Sequence, residues 1–230
     1  MMPFVKCLDY QVINESVDSV IKRIKDRVQQ PGFEHITTLN PEIVARSDSA
    51  MSVWIQSSWL CTADGVGIVW ASSQSVRRTT GIALANKLLT DSQLTVYCLG
   101  GTKAVIQEVA NRYPIIGYHH GYFTASEWQS IIRDINQKKP DIILVGLGFP
   151  NQESILQILQ KKINHGIGIG VGGVFDVLSG SVSRAPNWIQ QLGFEWLYRS
   201  IQRPSRIVRH RFLIQFLWKV WTFNSRVDPK

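Results

Sequence analysis

Arginines, tryptophans and one carboxylate crowd a segment near the C-terminus, running from Arg184 through Trp188, Glu195 and Trp196 to Arg199, with Arg203, Arg206 and Arg209 just beyond. A guanidinium presents a planar fork of donors that matches phosphate oxygens. Tryptophan favours the boundary between apolar and wet surroundings. Together they point to a phosphorylated ligand held near a membrane, and the competing reading is a solvated basic face. A second set of polar groups is spread through the body: Thr38 and Asn40, Asp64 before Gly65, Gly100-Gly101, Gly148 with Gln152 and Glu153, and Gly172-Gly173. Each cluster follows a short apolar run. Glycine turns expose backbone N–H groups and helix starts add positive potential, so these clusters suit a diphosphate-bearing ligand such as a sugar nucleotide.

Elements of two kinds must position these groups. Apolar runs at 33–39, 59–62, 94–99, 141–147 and 166–171 read as strands. Between them, 41–56, 83–89, 103–112, 126–137 and 151–163 read as helices, the first with Asn40 as N-cap and Pro41 at its first position. This alternation predicts an α/β fold, a Rossmann-like parallel sheet flanked by helices, with a basic helical appendage at the C-terminus. In such sheets ligands bind beyond the carboxyl ends of the strands, which is where the polar clusters fall. The β-α pattern reads as complete by Val177. A division follows: residues 1–192 as the α/β domain and 193–230 as an appendage that can be removed from a folded body.

The global numbers agree. The 230 residues, 44% of them hydrophobic, can bury a substantial core. From Arg184 onward nine basic residues face two acidic ones, so nearly all of the net charge of +8 sits in the tail. That asymmetry implies an anionic partner: phosphate, lipid headgroups or nucleic acid. The glycine-rich strand ends imply a small-molecule site and argue against nucleic acid. Cys7, Cys61 and Cys98 lie far apart in apolar surroundings and read as buried thiols of a reducing compartment. No Cys/His cluster has metal-ligand spacing, no cofactor is expected, and no apolar run reaches the roughly 18 residues of a spanning helix. The run Gly168-Ile-Gly170-Val-Gly172-Gly173 superficially suggests a dinucleotide fingerprint, but its first glycines lie inside a strand and not after it. Close backbone approach within the sheet is the better explanation.

Read in order, several motifs resemble the WecG/TagA/CpsF family of bacterial glycosyltransferases. They are Thr-Leu-Asn-Pro-Glu (38–42), Ala-Asp-Gly-Val-Gly (63–67), Arg-Thr-Thr-Gly (78–81), Leu-Gly-Gly (99–101), His-Gly-Tyr-Phe (120–123), Gly-Leu-Gly-Phe-Pro-Asn-Gln-Glu (146–153), Gly-Val-Gly-Gly-Val-Phe-Asp (170–176), Gly-Ser-Val-Ser-Arg-Ala-Pro (180–186) and Gly-Phe-Glu-Trp-Leu-Tyr-Arg (193–199). The resemblance implies an inverting transferase that moves a sugar from a UDP donor onto a polyprenyl-diphosphate-linked sugar in cell-surface polysaccharide assembly. It implies Asp64 as general base, with Thr38 and Asn40 binding sugar or acceptor and Gln152 contacting the donor. Asp64 has a turn or N-cap alternative, Asn40 also caps a helix, and Gln152 also sits at a helix start. The chain departs from the family at Asn151, where Lys is usual.

The departing UDP needs its charge stabilised. The chain contains no Asp-x-Asp for a metal, which leaves Arg78, Arg199, Arg206 and Arg209 as candidates. Beyond them, Phe212, Leu213, Phe216, Leu217 and Val220 fall on one face of a helix. That face fits an anionic membrane interface, or packing against the body or a second subunit. The expected location is cytoplasmic, on the inner face of the plasma membrane, and self-association is left open.

Overall fold

Six parallel strands form the centre of the protein, in the spatial order Leu60–Ala63 (β4), Gly32–Leu39 (β3), His165–Gly170 (β8), Ile142–Gly146 (β7), Val96–Gly100 (β5) and Gly117–His119 (β6). The structure is a computed structural model, and it describes residues 3–183, 185, 186, 189, 198 and 211–227. Every residue of β5 is buried, as are Ile142 through Val145 of β7. A strand buried on both faces is what a parallel sheet covered by helices demands.

One face is closed by α1 (Val17–Val28), α5 (Gly81–Thr90), α6 (Lys103–Arg112) and α9 (Val174–Leu178), whose apolar sides share a core with β3, β5, β7 and β8. The other is closed by α7 (Ala125–Lys138) and α8 (Asn151–Lys162). A third cluster joins the N-terminal hairpin, β1 (Phe4–Cys7) and β2 (Tyr10–Ile13), to α2 (Pro41–Arg46), α3 (Ser49–Gln56), α4 (Val66–Ala71) and the final helix α10 (Arg211–Val227).

The α/β class and the parallel sheet are as expected. The elements outside the β-α rhythm are findings: the hairpin, α1, α4, the short edge strand β6, and α9. The helix expected over 41–56 is two helices. Ser47 turns extended and its hydroxyl bonds back to the Ile43 carbonyl at 2.7 Å, while Asp48 caps α3 by accepting from the Met51 N–H at 2.8 Å.

Of the readings given for the tail helix, a membrane interface or packing, the structure shows packing against the body. Phe216 and Val220 are buried, and Phe212 and Phe223 pack beside them. Lys219 reaches α2, where its ammonium donates to the carbonyls of Val44 at 2.8 Å and Ser47 at 3.1 Å, ending that helix. The β-α alternation ends at α9, and α10 adds Phe216 and Val220 to the core of the body. The boundary expected at residue 192 falls outside the described residues. Among the described residues, no helix is long and apolar enough to cross a membrane.

Candidate active site

The register aligns the carboxyl ends of the strands along one rim. Leu39 pairs with Ala63, Thr37 with Gly170, Val145 with Gly170, Gly100 with Gly146, and Leu99 with His119. The polar clusters read from the sequence come next in the chain, so they gather on this rim.

Asp64 is the first residue past β4. Its N–H donates to the Leu39 carbonyl at 2.8 Å, which continues the β3–β4 pairing by one residue. Its Oδ2 accepts from the Gly81 N–H at 3.2 Å, at the start of α5. Gly65 follows with φ near +97°, a conformation that L side chains rarely adopt, and turns the chain sharply into α4. The Asp64 backbone is thus pinned to β3, and its half-buried carboxylate is oriented by the Gly81 N–H.

Thr38 lies beside it. A Cβ placed on Gly81 would come 3.4 Å from Asp64 Oδ2 and 3.5 Å from Thr38 Oγ1, so the three groups are close neighbours. Thr38 is 4% exposed, and its hydroxyl donates to the Gly170 carbonyl at 2.8 Å. Asn40 caps α2 by accepting from the Ile43 N–H at 3.0 Å, as expected, and the cap does not use its NH2 end.

Gln152 is 3% exposed and braces the neighbouring loop. Its Oε1 accepts from the Gly172 N–H and its Nε2 donates to Glu153 Oε1, both at 2.9 Å. Gly170 is glycine because Gln152 occupies its side-chain space: a Cβ there would lie 2.5 Å from Nε2. The glycines at 168 and 170 thus permit close packing, and the nucleotide-fingerprint reading has no support in their placement within β8. Arg78 is exposed, on the loop between α4 and α5. Arg199, Arg206 and Arg209 lie outside the described residues. The structure brings Thr38, Asn40, Asp64 and Gln152 to one rim around Gly81 and Gly170.

Two residues that sequence reasoning passed over or ranked low are tied into this region. Arg46 donates to Glu42 Oε1 at 2.6 Å and to the Phe149 carbonyl at 2.8 Å, and its guanidinium stands 4.8 Å from the Phe212 ring centre. It joins α2, the Gly148–Pro150 loop and α10. The i,i+4 spacing of Glu42 and Arg46 is a local sign of their pairing. The link to Phe149 spans 103 residues, and only the fold shows it.

Glu153 is 2% exposed, and its Oε2 has no hydrogen-bond partner among the described residues. Burial raises its pKa from the ordinary 4.5 to about 7, the bond from Gln152 offsets part of that rise, and the charge of Glu42 adds to it. The unfolded chain gives up this proton near the ordinary value, whereas the folded chain keeps it to about 7. The folded state therefore binds more protons between those values, and stability falls as pH rises through that window. Glu153→Gln keeps the shape and cannot ionise. Urea unfolding should show it more stable than wild type at pH 8, by up to about 3 kcal/mol, and little different at pH 4. Equal stabilities at pH 8 would show that the carboxyl is not buried in this way.

The chain as a whole is similar to known proteins. The sequence model of the glycosyl transferase WecG/TagA/CpsF family matches residues 5–228. Two N-acetylglucosaminyldiphosphoundecaprenol N-acetyl-beta-D-mannosaminyltransferases, from Staphylococcus aureus strains MW2 and NCTC 8325, are each 33% identical over 200 residues. Those alignments cover 80% of this chain and 78% of each relative.

Proposed function

Since the chain belongs to the WecG/TagA/CpsF family of glycosyltransferases, we propose that it transfers a sugar, with inversion, from a UDP donor to a polyprenyl-diphosphate-linked acceptor sugar in cell-surface polysaccharide assembly. The names of its relatives favour an N-acetylmannosaminyl group as the sugar and an N-acetylglucosaminyl-diphosphate lipid as the acceptor. The observation that carries the reading is Asp64 at the sheet's carboxyl rim: its N–H donates to the Leu39 carbonyl, and its half-buried carboxylate accepts from the Gly81 N–H beside Thr38.

In this reaction the acceptor hydroxyl oxygen attacks the anomeric carbon as the bond to the UDP oxygen breaks. Asp64 takes the hydroxyl proton. UDP leaves with the bonding pair, and its charge is balanced by guanidinium groups, for which Arg78, Arg199, Arg206 and Arg209 are the candidates. Thr38 and the NH2 end of Asn40 hold sugar hydroxyls, and Gln152 fixes the loop that receives the donor. No divalent ion enters this scheme, because arginines do the work that an Asp-x-Asp-bound metal does elsewhere. The test is a panel of UDP-sugars with a synthetic polyprenyl-diphosphate-N-acetylglucosamine acceptor, run with and without excess EDTA and read by mass spectrometry. A disaccharide product formed equally in both conditions is expected. No product with any donor would overturn the reading, and loss in EDTA that Mg²⁺ or Mn²⁺ restores would overturn the metal-free scheme.

The acceptor's lipid requires a membrane surface, and α10 offers a face for one. Its inward side is used in the core, but Ile214, Leu217, Trp218 and Trp221 are 72%, 52%, 64% and 67% exposed. Of the face expected from the sequence, Phe212, Leu213, Phe216, Leu217 and Val220, only Leu217 belongs to this exposed set. Indole rings with a basic neighbour, Arg211, suit the interface of an anionic bilayer. Trp218→Ser with Trp221→Ser should reduce binding to anionic vesicles by more than about tenfold, since one buried large side chain is worth about 1.5–3 kcal/mol. The same variant should keep its turnover on a water-soluble, short-chain acceptor. Unchanged sedimentation with vesicles would remove this face from the account.

A further inference from the structure

We propose that His119, His120 and Glu127 form a binding site for one transition-metal ion of the Zn²⁺ class, separate from the transfer chemistry. Each residue offers one ligand atom, and the three atoms lie within 4.8 Å of one another. A tetrahedral ion with ligands at about 2.0–2.2 Å needs them about 3.4 Å apart, so modest side-chain rotations close the set. Two imidazoles and a carboxylate suit Zn²⁺ and its first-row neighbours, and do not suit Mg²⁺, which prefers oxygen and water.

The surroundings fix the ligands. His119 Nδ1 lies 2.9 Å from the His120 carbonyl, which can only accept. The proton therefore sits on Nδ1, and the neutral ring presents the lone pair of Nε2 outward. The ring meets Phe123 edge-on at 6.0 Å, and Phe123 stacks on Trp128 at 5.3 Å. Glu127 is the third residue of α7 and closes a capping box: its Oε2 accepts from the N–H and the hydroxyl of Thr124, at 2.7 and 2.8 Å. Its Oε1 is left for an ion. His120 makes the weakest commitment: its Nδ1 lies 3.3 Å from the Tyr122 N–H, a long contact that gives way when either ring nitrogen binds an ion. The loop that carries the two histidines is pinned, because the Gly121 N–H donates to the Gly101 carbonyl at 2.8 Å and Leu147 fills the space a side chain at 121 would need. An ion held by β6 and α7 would lock that loop to the helix start.

The site lies apart from Asp64. Asp64 follows β4 at one edge of the sheet, and the cluster follows β6 at the other. Five inter-strand steps at about 4.8 Å put them roughly 24 Å apart. An ion there has no reach to the attacked carbon, which is consistent with transfer that survives a chelator.

The test is titration of the full chain with Zn²⁺ by calorimetry, and with Co²⁺ by its visible absorption. One saturable ion per chain is expected, with tetrahedral-type Co²⁺ bands. Glu127→Gln keeps the capping box, since Gln serves at that position as well as Glu, so it should fold and melt as wild type while binding at least tenfold more weakly. His119→Gln should do the same. Absence of saturable binding, or binding that neither variant weakens, would overturn the proposal.

Discussion

Asp64→Asn is expected to slow transfer by about 10²–10⁴-fold while leaving UDP affinity nearly unchanged. The substitution preserves size and can keep the bond from the Gly81 N–H, so the packing of residue 64 beside Thr38 and Gly81 stays in place. It removes the one property the mechanism asks of this side chain, the ability to accept a proton. Turnover at saturating donor and acceptor, together with UDP binding by calorimetry, separates the two effects. A variant within a few-fold of wild type would remove Asp64 as the base. A variant that loses UDP binding as well would mean that the carboxylate shapes the donor site.

Phe216→Ala is expected to be the most destabilising single change in α10. The ring is 2% exposed and packs in the cluster that joins the hairpin, α2, α4 and α10, with one ring carbon 3.4 Å from where a side chain on Gly67 would begin. Truncating a buried Phe costs about 3–5 kcal/mol. For a chain of this size that lowers the midpoint of thermal unfolding by about 6–20 °C. Leu217→Ala, one residue on and 52% exposed, should stay within about 0.5 kcal/mol of wild type. If both variants melt together with wild type, α10 is not docked on the body. The same reasoning changes the expectation for truncation. Removing everything from residue 193 takes Phe216, Val220 and the Lys219 cap of α2 with it, so the remaining body should be less stable and not merely inactive.

The sheet was legible because its strands carry their burial in the sequence. Runs such as Ile142–Val145 are apolar on both faces, and the turn residues after them mark the rim. The polar clusters were legible for the same reason: each is the next thing in the chain after a strand. Other features needed the fold. β6 has three residues, Gly117–His119, of which only the glycine is buried, so it has no hydrophobic signature. The break at Ser47–Asp48 is written in a hydroxyl and a carboxylate that could equally stand on a helix surface, and it is completed by Lys219 from 172 residues away. The two sides of α10 are both apolar, with Phe216 and Val220 on one and Trp218 and Trp221 on the other. Periodicity finds such a helix but cannot say which side is inward. The His119–His120–Glu127 cluster has no recognisable ligand spacing, because a loop and a helix start bring the three together.

The stereochemistry of the product reports whether transfer onto a lipid-diphosphate sugar proceeds with inversion. The full-length chain would be incubated with UDP-N-acetylmannosamine, a polyprenyl-diphosphate-N-acetylglucosamine acceptor and excess EDTA. Released UDP would be counted, and the anomeric configuration of the new bond read by NMR. One UDP released for each β-linked disaccharide formed is the predicted result. An α-linked product, or UDP released with the sugar passed only to water, would contradict it.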